Sequence, residues 1–222
     1  MIVDFEVTNH TNDTQELSNM AIKAKETLGA DYIEVLADSG YENRAEFDKC
    51  IENNIKPIVN IKSTEKENGC YSKDEFIYDR TKDVYICPNN GELVCVWHNT
   101  NKKGKRILRN KVYKNEELCK KCKKVKECFN NNKRGYRRIE RWEKENMVDN
   151  MKTKEARDKL RKRKGMIEPI HGVIKRDLGY EYVLTRGLES VKAEFSLTAL
   201  AYNFKRVLNI LGFDNFMNLL TA

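Results

Sequence analysis

The sequence has no apolar run close to the roughly 18 residues that a membrane-spanning helix needs. It also has no signal-peptide pattern, because Met1 leads directly into the strand-like residues IVDFEV. No internal repeat is visible. These absences exclude the membrane and secreted classes, and we expect a soluble cytoplasmic protein. In a reducing compartment the seven cysteines are more typical of metal ligands or buried thiols than of disulfides.

The positive charge is concentrated in two stretches of the 222 residues. Residues 102 to 141 carry 17 Lys or Arg against 4 Glu, and residues 152 to 164 carry 8 against 2 acids. The two stretches hold +13 and +6 of a net +8, which leaves −11 for the rest of the chain. This polarity favours an anion-binding face. The alternative is a solvated, lysine-rich insertion that binds nothing.

The first quarter of the chain has the pattern of an α/β protein. The expected elements are a strand at 2–8, a helix at 14–28, a strand at 32–37, a helix at 43–53 and a strand at 55–61. An Asp13/Glu16 capping box is expected to open the first helix. Alternating strands and helices imply parallel strands that are covered by helices.

The rest of the chain is less regular. Residues 84–129 have the pattern of short strands, loops and cysteines, which make a poor core for their length unless something else holds them together. Residues 137–164 are charged and helical in composition, and Gly165 is expected to interrupt them. A last helix at 187–211 carries apolar residues at steps of three and four, and we expect it to pack on the sheet.

Four of the cysteines have the spacing of a metal site. Cys87 lies in CPNNG, and Cys119, Cys122 and Cys128 lie in CKKCKKVKEC. Two thiolates two residues apart can hold one tetrahedral ion, so the pattern predicts structural Zn²⁺, with unligated thiols as the alternative. Cys95 and His98 are alternates for the fourth ligand, while Cys50 and Cys70 have the pattern of packing residues.

Two carboxylates in unlike settings are candidates for a Mg²⁺ or Mn²⁺ site. Asp38 ends the strand in VLADSGY, and Glu168 lies in RKRKGMIEPIHGVIK. Each has a structural alternative, since Asp38 could form an Asx turn and Glu168 could cap a helix that begins at Pro169. The neighbouring cations favour phosphate chemistry, because helical spacing places Glu168 and Lys175 on one face.

These motifs together carry a resemblance. EVTNHTNDTQEL, LADSGYENRAEF, the CP and CxxC cluster, KRKGMIEPIHGVIKRDLGY and TRGLESVKAEFSLTALAYNFKR occur in a fixed order. In this order they resemble the DDE transposases of bacterial insertion sequences, in the branch with a cysteine-rich insert before the catalytic Glu. The resemblance covers almost the whole chain.

The resemblance implies roles for individual residues. Asp38 is similar to the second catalytic Asp and Glu168 to the catalytic Glu, and both would bind Mg²⁺. Arg163, Lys164 and Lys175 would contact DNA. Leu160 stands where the family usually has Tyr, and His171 stands where it usually has Phe. We expect His171 to line a groove or to be partly buried.

The resemblance also implies a fold and an activity. The fold would be an α/β, ribonuclease-H-like mixed sheet with flanking helices. It would comprise a first part of the core (1–79), a basic zinc-binding insertion (80–140) and a C-terminal helical part (141–222). The activity would be DNA strand cleavage and strand transfer by two-metal phosphoryl transfer, with transposon ends and target DNA as partners and a homodimer as a possible assembly.

One departure from the family concerns the first catalytic Asp. Its strand would precede EVTN, and neither Asp4 nor Asp13 fits the role, since Asp4 lies in a strand of different context and Asp13 is expected to cap a helix. The chain therefore resembles a C-terminal, truncated form that we expect to be weakly active or inactive. The alternatives are a non-catalytic, zinc-stabilised DNA-binding module and a zinc-stabilised protein interaction domain.

Overall fold

The computed structural model describes residues 1–62, 69–103, 106–128 and 135–221. The chain forms two compact units, of which the first comprises Met1–Asn60 and Thr153–Ala222 and the second Ile61–Lys152. The three-part division at residues 79 and 140 that the sequence favours stays a prediction. None of the helices in the described part of the chain is long and apolar enough to cross a membrane.

The first unit begins with a parallel βαβ arrangement. Its elements are helix α1 (Leu17–Thr27), strand β1 (Ile33–Ala37), a 3₁₀ turn (Ser39–Tyr41), helix α2 (Arg44–Glu52) and strand β2 (Ile55–Val59). Strands β1 and β2 pair in parallel, with Val35 opposite Pro57. Helix α2 connects the strands and buries Phe47 and Cys50 completely. The parallel pair and the packing role of Cys50 are therefore confirmed.

Helix α1 is fixed to α2 through a buried carboxylate. Glu46 is 2% exposed, and its Oε2 accepts hydrogen bonds from Ser18 N (3.1 Å) and Ser18 Oγ (2.5 Å). Lys49 Nζ donates to Oε1 at 2.5 Å. The expected capping box is wrong, because α1 begins at Leu17 and its N-cap residue, Glu16, makes no side-chain capping bond.

The second unit is a five-stranded antiparallel meander. Its strands are β3 (Ile77–Asp79), β4 (Val84–Ile86), β5 (Glu92–Lys103), β6 (Arg106–Lys114) and β7 (Arg138–Trp142), adjacent in that order. Short helices α3 (Glu116–Lys120) and α4 (Val125–Cys128) follow β6, and α5 (Glu145–Met151) follows β7.

The core of this second unit is aromatic. Phe76, Tyr85, Leu93, Tyr113, Cys119 and Ile139 are buried together. Asp83 Oδ1 accepts hydrogen bonds from the hydroxyls of Tyr78 and Tyr113, both at 2.6 Å, while Lys111 Nζ lies 2.6 Å from Oδ2. The short strands and loops are therefore held together by this aromatic cluster, because the tyrosines pack their rings inside and satisfy their hydroxyls on one carboxylate.

The first unit resumes with three helices. Helix α6 (Lys154–Gly172) leads into a π-helical segment (Val173–Asp177), and helices α7 (Leu188–Leu211) and α8 (Phe213–Thr221) follow. Helix α6 passes through Gly165 without a break, so the expected interruption there is wrong. Pro169 lies inside the helix and lacks an N–H, which removes one backbone bond shortly before the π-helical segment.

The N-terminal segment docks on α7. Residues 2–8, predicted as a strand, form no strand and pair with none in the described part of the chain. Asn203 instead accepts from Ile2 N and donates to Ile2 O, both at 2.7 Å, and the Phe5 and Phe195 rings meet edge to face at 4.9 Å. The expected packing of α7 on the sheet is wrong, since its main neighbours among the described elements are this segment, the π-helical segment and α8.

Glu34 on β1 generates a pH-dependent prediction. Its carboxylate accepts hydrogen bonds from Lys159 Nζ at 2.7 Å and Lys56 Nζ at 2.8 Å, and these bonds lower the pKa of Glu34 from 4.5 to about 2. A carboxyl with a lowered folded-state pKa stabilises the fold above its unfolded pKa, and this contribution is lost as pH falls through the folded pKa.

We expect Glu34→Gln to lower the free energy of unfolding by about 1 kcal/mol near neutral pH. The difference from wild type should shrink as pH falls from about 4.5 towards about 2. Urea unfolding across this range measures it. Glu155→Gln is the control, because Glu155 also pairs with Lys159 but is 78% exposed. A loss independent of pH would contradict the assignment.

Candidate active site

The cleft lies where the carboxyl ends of β1 and β2 meet helix α6. The parallel register pairs Ala37 with Val59, so Asp38 and Asn60 leave the sheet side by side, and Asn60 N donates to Ala37 O at 3.2 Å. Helix α6 packs against both strands. The open cleft has a volume of about 410 Å³, and its polar lining residues are Asp38, Asn60, Arg157, Arg161, Arg163 and Glu168. The structure thus brings the two predicted carboxylates to one cleft.

Asp38 is held at both of its carboxylate oxygens. Oδ1 accepts a hydrogen bond from Gly40 N at 2.9 Å, and Oδ2 lies 3.7 Å from Arg163 Nη2. The side chain is nevertheless 57% exposed. Asp38 therefore forms the Asx turn that was its structural alternative, and it also faces the cleft. The structural and the functional interpretation of Asp38 are compatible.

Glu168 projects from within helix α6. The helix extends from Lys154 to Gly172, which places Glu168 and Pro169 inside it, and the alternative of a helix cap at Glu168 is excluded. Glu168 is exposed and lines the cleft with Leu160, which lies about two turns earlier on the same helix. An exposed carboxylate at this position is accessible to an ion or a substrate.

The arginines of the cleft differ in their surroundings. Arg163 is 21% exposed and its Nε donates to Leu36 O at 3.1 Å, whereas Arg161 is 84% exposed and lies 3.9 Å from Asp158. Asn60, Arg157 and Arg161 were not singled out from the sequence. Asn60 could have been found as the residue that follows the second parallel strand, since ligand-binding residues collect at that edge of a sheet.

The other predicted DNA contacts are less closely tied to the cleft. Lys175 is exposed in the π-helical segment and is absent from the described lining of the cleft. The side chain of Lys164 lies outside the described residues. His171 is exposed on α6. Because a π-helical turn departs from the 3.6-residue period, a shared face of Glu168 and Lys175 stays a prediction.

Tyr41 connects Asp38 to the start of α1. Burial raises the pKa of the Tyr41 hydroxyl, Asp13 and Asp38 act in the same direction, and Arg163 opposes them. These carboxylates therefore act on one partly buried phenol. Asn43 Nδ2 also donates to Thr14 O at 2.9 Å, which ties the segment after β1 to the approach to α1.

Three of the four predicted zinc ligands lie in or against the aromatic core of the second unit. Gly91 N donates to Cys87 Sγ at 3.2 Å, and Asn89 Nδ2 lies 3.6 Å from Cys122 Sγ. Cys87, Cys119 and Cys128 all pack in or against the core. Gly91 packs closely on Leu118, since an added Cβ would lie 2.6 Å from a methyl carbon of that side chain and would force it to move.

The thiols act on one another electrostatically. Burial raises the pKa of Cys128 to about 11; Arg137 opposes this shift, while Cys119, Cys87 and Cys122 add to it. Burial likewise raises the pKa of Cys119, and the backbone amide of Arg137 opposes it. In the described part of the chain, however, no three His, Cys, Asp or Glu side chains form a group that could hold a metal.

The alternate zinc ligands lie on β5. Cys95 is opposite Tyr113 on β6 and packs against the same aromatic core, and it acts on the pKa of Lys111. His98 is exposed and opposite Lys111. Neither is among the groups that act on the thiols of Cys119 and Cys128. The predicted packing residue Cys70 is buried, and its thiol lies 3.8 Å from Lys126 O.

Comparison with protein families gives one match. The model of the transposase DDE domain matches residues 86–208, which is more than half of the chain. The matched range includes Arg163, Glu168 and the four predicted zinc ligands, whereas Asp38 lies outside it. No curated protein and no solved structure matches the chain.

Proposed function

Because the chain belongs to the transposase DDE domain family, we propose that it takes part in DNA transposition through metal-dependent phosphoryl transfer at the cleft between β1, β2 and α6. The observation that carries this proposal is the meeting of Asp38 and Glu168 in one cleft with three arginines. Carboxylates and cations on separate elements are what a phosphoryl-transfer site needs to hold a metal beside an anionic substrate.

The donors of the cleft suit a hard divalent cation. Asp38 and Glu168 offer exposed carboxylate oxygens, and Asn60 offers an amide oxygen nearby. Mg²⁺ is commonly bound by one or two carboxylates, with waters and substrate phosphates completing its shell. The bound ion would supply Lewis-acid activation of the phosphoryl group and of the attacking water or 3′-hydroxyl.

The residues of the chain would orient the DNA around this centre. Arg161, exposed at the cleft, is suited to a phosphate, and Lys164 and Lys175 continue the positive charge along the helix and beyond it. The lysines of the second unit would bind the DNA backbone without reading its sequence. The carboxylates would fix the reacting phosphate through the cation and leave the arginines to balance the developing negative charge.

We further propose that the chain alone cleaves DNA weakly or not at all. Support comes from the described lining of the cleft, in which Asp38 and Glu168 are the carboxylates, whereas the family chemistry uses three. Site-bound metals are sensitive to the loss of one ligand. The alternative function, a non-catalytic DNA-binding module, has the same basic surface but no dependence on these carboxylates.

Metal binding tests the proposal directly. We expect Mn²⁺ to bind the protein in isothermal titration, and Asp38→Asn and Glu168→Gln each to weaken the binding at least about tenfold, as losses around metal sites do. Asp158→Asn is the control, because it removes a carboxylate of α6 that does not line the cleft. Absence of binding, or equal binding by all variants, would favour the non-catalytic module.

Nicking of a supercoiled plasmid tests the expected weak activity in the same preparations. Strong Mn²⁺-dependent conversion to the relaxed form, abolished by Asp38→Asn, would show that two carboxylates of this cleft suffice and would refute the proposed inactivity. Little nicking together with carboxylate-dependent Mn²⁺ binding is the expected result.

For the second unit we propose a structural Zn²⁺ held by Cys87, Cys119, Cys122 and Cys128. The support is the spacing of the four cysteines, the packing of Cys87, Cys119 and Cys128 in or against one core, the N–H donors near the sulfurs of Cys87 and Cys122, and the neighbouring lysines, which would offset the charge of a tetrathiolate. Such a site would hold the loops after β4 and β6 together.

We expect the purified protein to contain about one zinc ion per chain, measured by mass spectrometry of the metal content. Cys122→Ser should lose the zinc and lower the melting temperature, because the ion contributes to folding. Cys95→Ser is the control and should retain it. Zinc loss in Cys95→Ser would instead identify Cys95 as the fourth ligand, and a zinc-free wild type would refute the site.

We also propose self-association through the α7–α8 apolar surface, defined by eight side chains that are each 40 to 68% exposed: Leu197, Leu200, Phe204, Ile210, Phe213, Met217, Leu219 and Leu220. Leu197, Leu200 and Phe204 follow at steps of three and four and share one face of α7. Each of the eight large side chains has about half of its area exposed, and such a side chain has an area of about 150–250 Å². Together they offer on the order of 800 Å², which is the area that each partner contributes to a standard interface.

The expected result is a dimer at micromolar concentration in analytical ultracentrifugation. The double change Leu197→Glu with Leu200→Glu should give a monomer with unaltered helix content, because it places charge in a buried interface. Lys192→Glu, an exposed change on the same helix that lies three or four residues from none of the eight side chains, should leave the dimer intact. A monomeric wild type would contradict this assembly.

A further inference from the structure

Arg163 uses its guanidinium on the protein itself. Nε donates to the backbone carbonyl of Leu36 at 3.1 Å, and Nη2 lies 3.7 Å from Asp38 Oδ2. One side of the planar guanidinium thus faces the C-terminal end of β1, where Leu36 and Asp38 lie two residues apart in the chain. The interaction joins the helix that carries Glu168 to the strand end that carries Asp38.

The second oxygen of Asp38 completes this arrangement. Oδ1 accepts from Gly40 N at 2.9 Å, so the Asx turn fixes one side of the carboxylate and Arg163 faces the other. A free Asp side chain rotates about two bonds, and the hydrogen bond from Gly40 N restricts that rotation. The charge of the Arg163 guanidinium, 3.7 Å from Oδ2, favours the orientation in which Oδ2 faces it, while 57% of the side chain stays exposed to the cleft.

Arg161 provides the contrast on the same helix. Its side chain is 84% exposed, against 21% for Arg163, and it lies 3.9 Å from Asp158 on the same helix. An arginine that grips a DNA phosphate needs its fork available to solvent. By this criterion Arg161 is available, whereas Arg163 is already committed to Leu36 and Asp38.

We propose that Arg163 is a positioning residue for Asp38, and that Arg161 rather than Arg163 supplies the phosphate contact at this cleft. The inference rests on the proposed function, since it assigns Asp38 to the metal. It deepens that function by separating the cations of the cleft into one that orders a carboxylate and one that faces substrate.

The first test compares Mn²⁺ affinity in Arg163→Lys and Arg161→Lys by isothermal titration. Lysine keeps the charge and can still bind a phosphate, but it lacks the Nε donor and the planar fork. We expect Arg163→Lys to weaken Mn²⁺ binding about 10- to 100-fold, as lost outer-shell partners do, and Arg161→Lys to leave it unchanged. Equal affinity in Arg163→Lys and wild type would overturn the proposal.

DNA binding in the presence of EDTA gives a second comparison. A lost phosphate contact lowers the slope of log affinity against log salt by about 0.9. Arg161→Gln should show this reduction and Arg163→Gln should not. The reverse result would assign the phosphate to Arg163 and overturn the proposal. Arg163→Gln also serves as the second variant if the lysine change fails to fold.

A metal-free readout separates failure of this inference from failure of the proposed function. If the wild type binds no Mn²⁺, the metal site fails, and nuclear magnetic resonance of the protein without metal decides about Arg163. We then expect slow solvent exchange of the Arg163 Nε–H and a shift of the Gly40 amide resonance in Arg163→Lys but not in Arg161→Lys. Fast exchange, or an unmoved Gly40 resonance, would overturn the positioning role.

Discussion

The packing of helix α6 against the parallel pair β1–β2 is the constraint on which the cleft depends. Asp38 and Glu168 are separated by most of the chain, and the second unit lies between them in the sequence. Only the position of α6 brings them together. The helix is held to the strands by long cationic side chains, with Lys159 on Glu34 and Arg163 on the carbonyl of Leu36. On the face of α6 that meets the strands, the basic side chains therefore have a structural role. Substrate binding is not their first use.

The cationic side chains of α6 serve packing as well as the proposed substrate binding, and this explains which elements and contacts could be predicted from the sequence. Strand β1, helix α2 and strand β2 were predictable because local periodicity, a turn at Gly40 and burial of Phe47 all favour the same local structure. The pairing of Asp38 with Glu168 in one cleft followed from motif order. Their individual hydrogen bonds did not, because Arg163 meets Leu36 through tertiary packing that no local pattern encodes.

The failures have a common physical cause in tertiary partners. Residues 2–8 alternate like a strand, but Asn203 satisfies the backbone of Ile2 and Phe195 covers Phe5. Gly165 and Pro169 disfavour a helix locally, yet α6 continues through both. In the second unit, the tyrosine hydroxyls meet the carboxylate of Asp83. A usual apolar core has no such polar groups, so this cluster was not predicted. Propensity is a weak prior wherever such partners exist.

The structural and functional readings of Asp38 describe one arrangement. An Asx turn is ordinarily a reason to regard an aspartate as structural, since its carboxylate is occupied by a backbone amide. Here the amide of Gly40 takes one oxygen and leaves the other directed at the cleft. A ligand fixed in advance loses less conformational freedom when it binds a cation than a freely rotating one would. The turn is therefore a means of orienting the carboxylate, and an Asp that follows a strand and precedes a Gly by two residues is compatible with both roles.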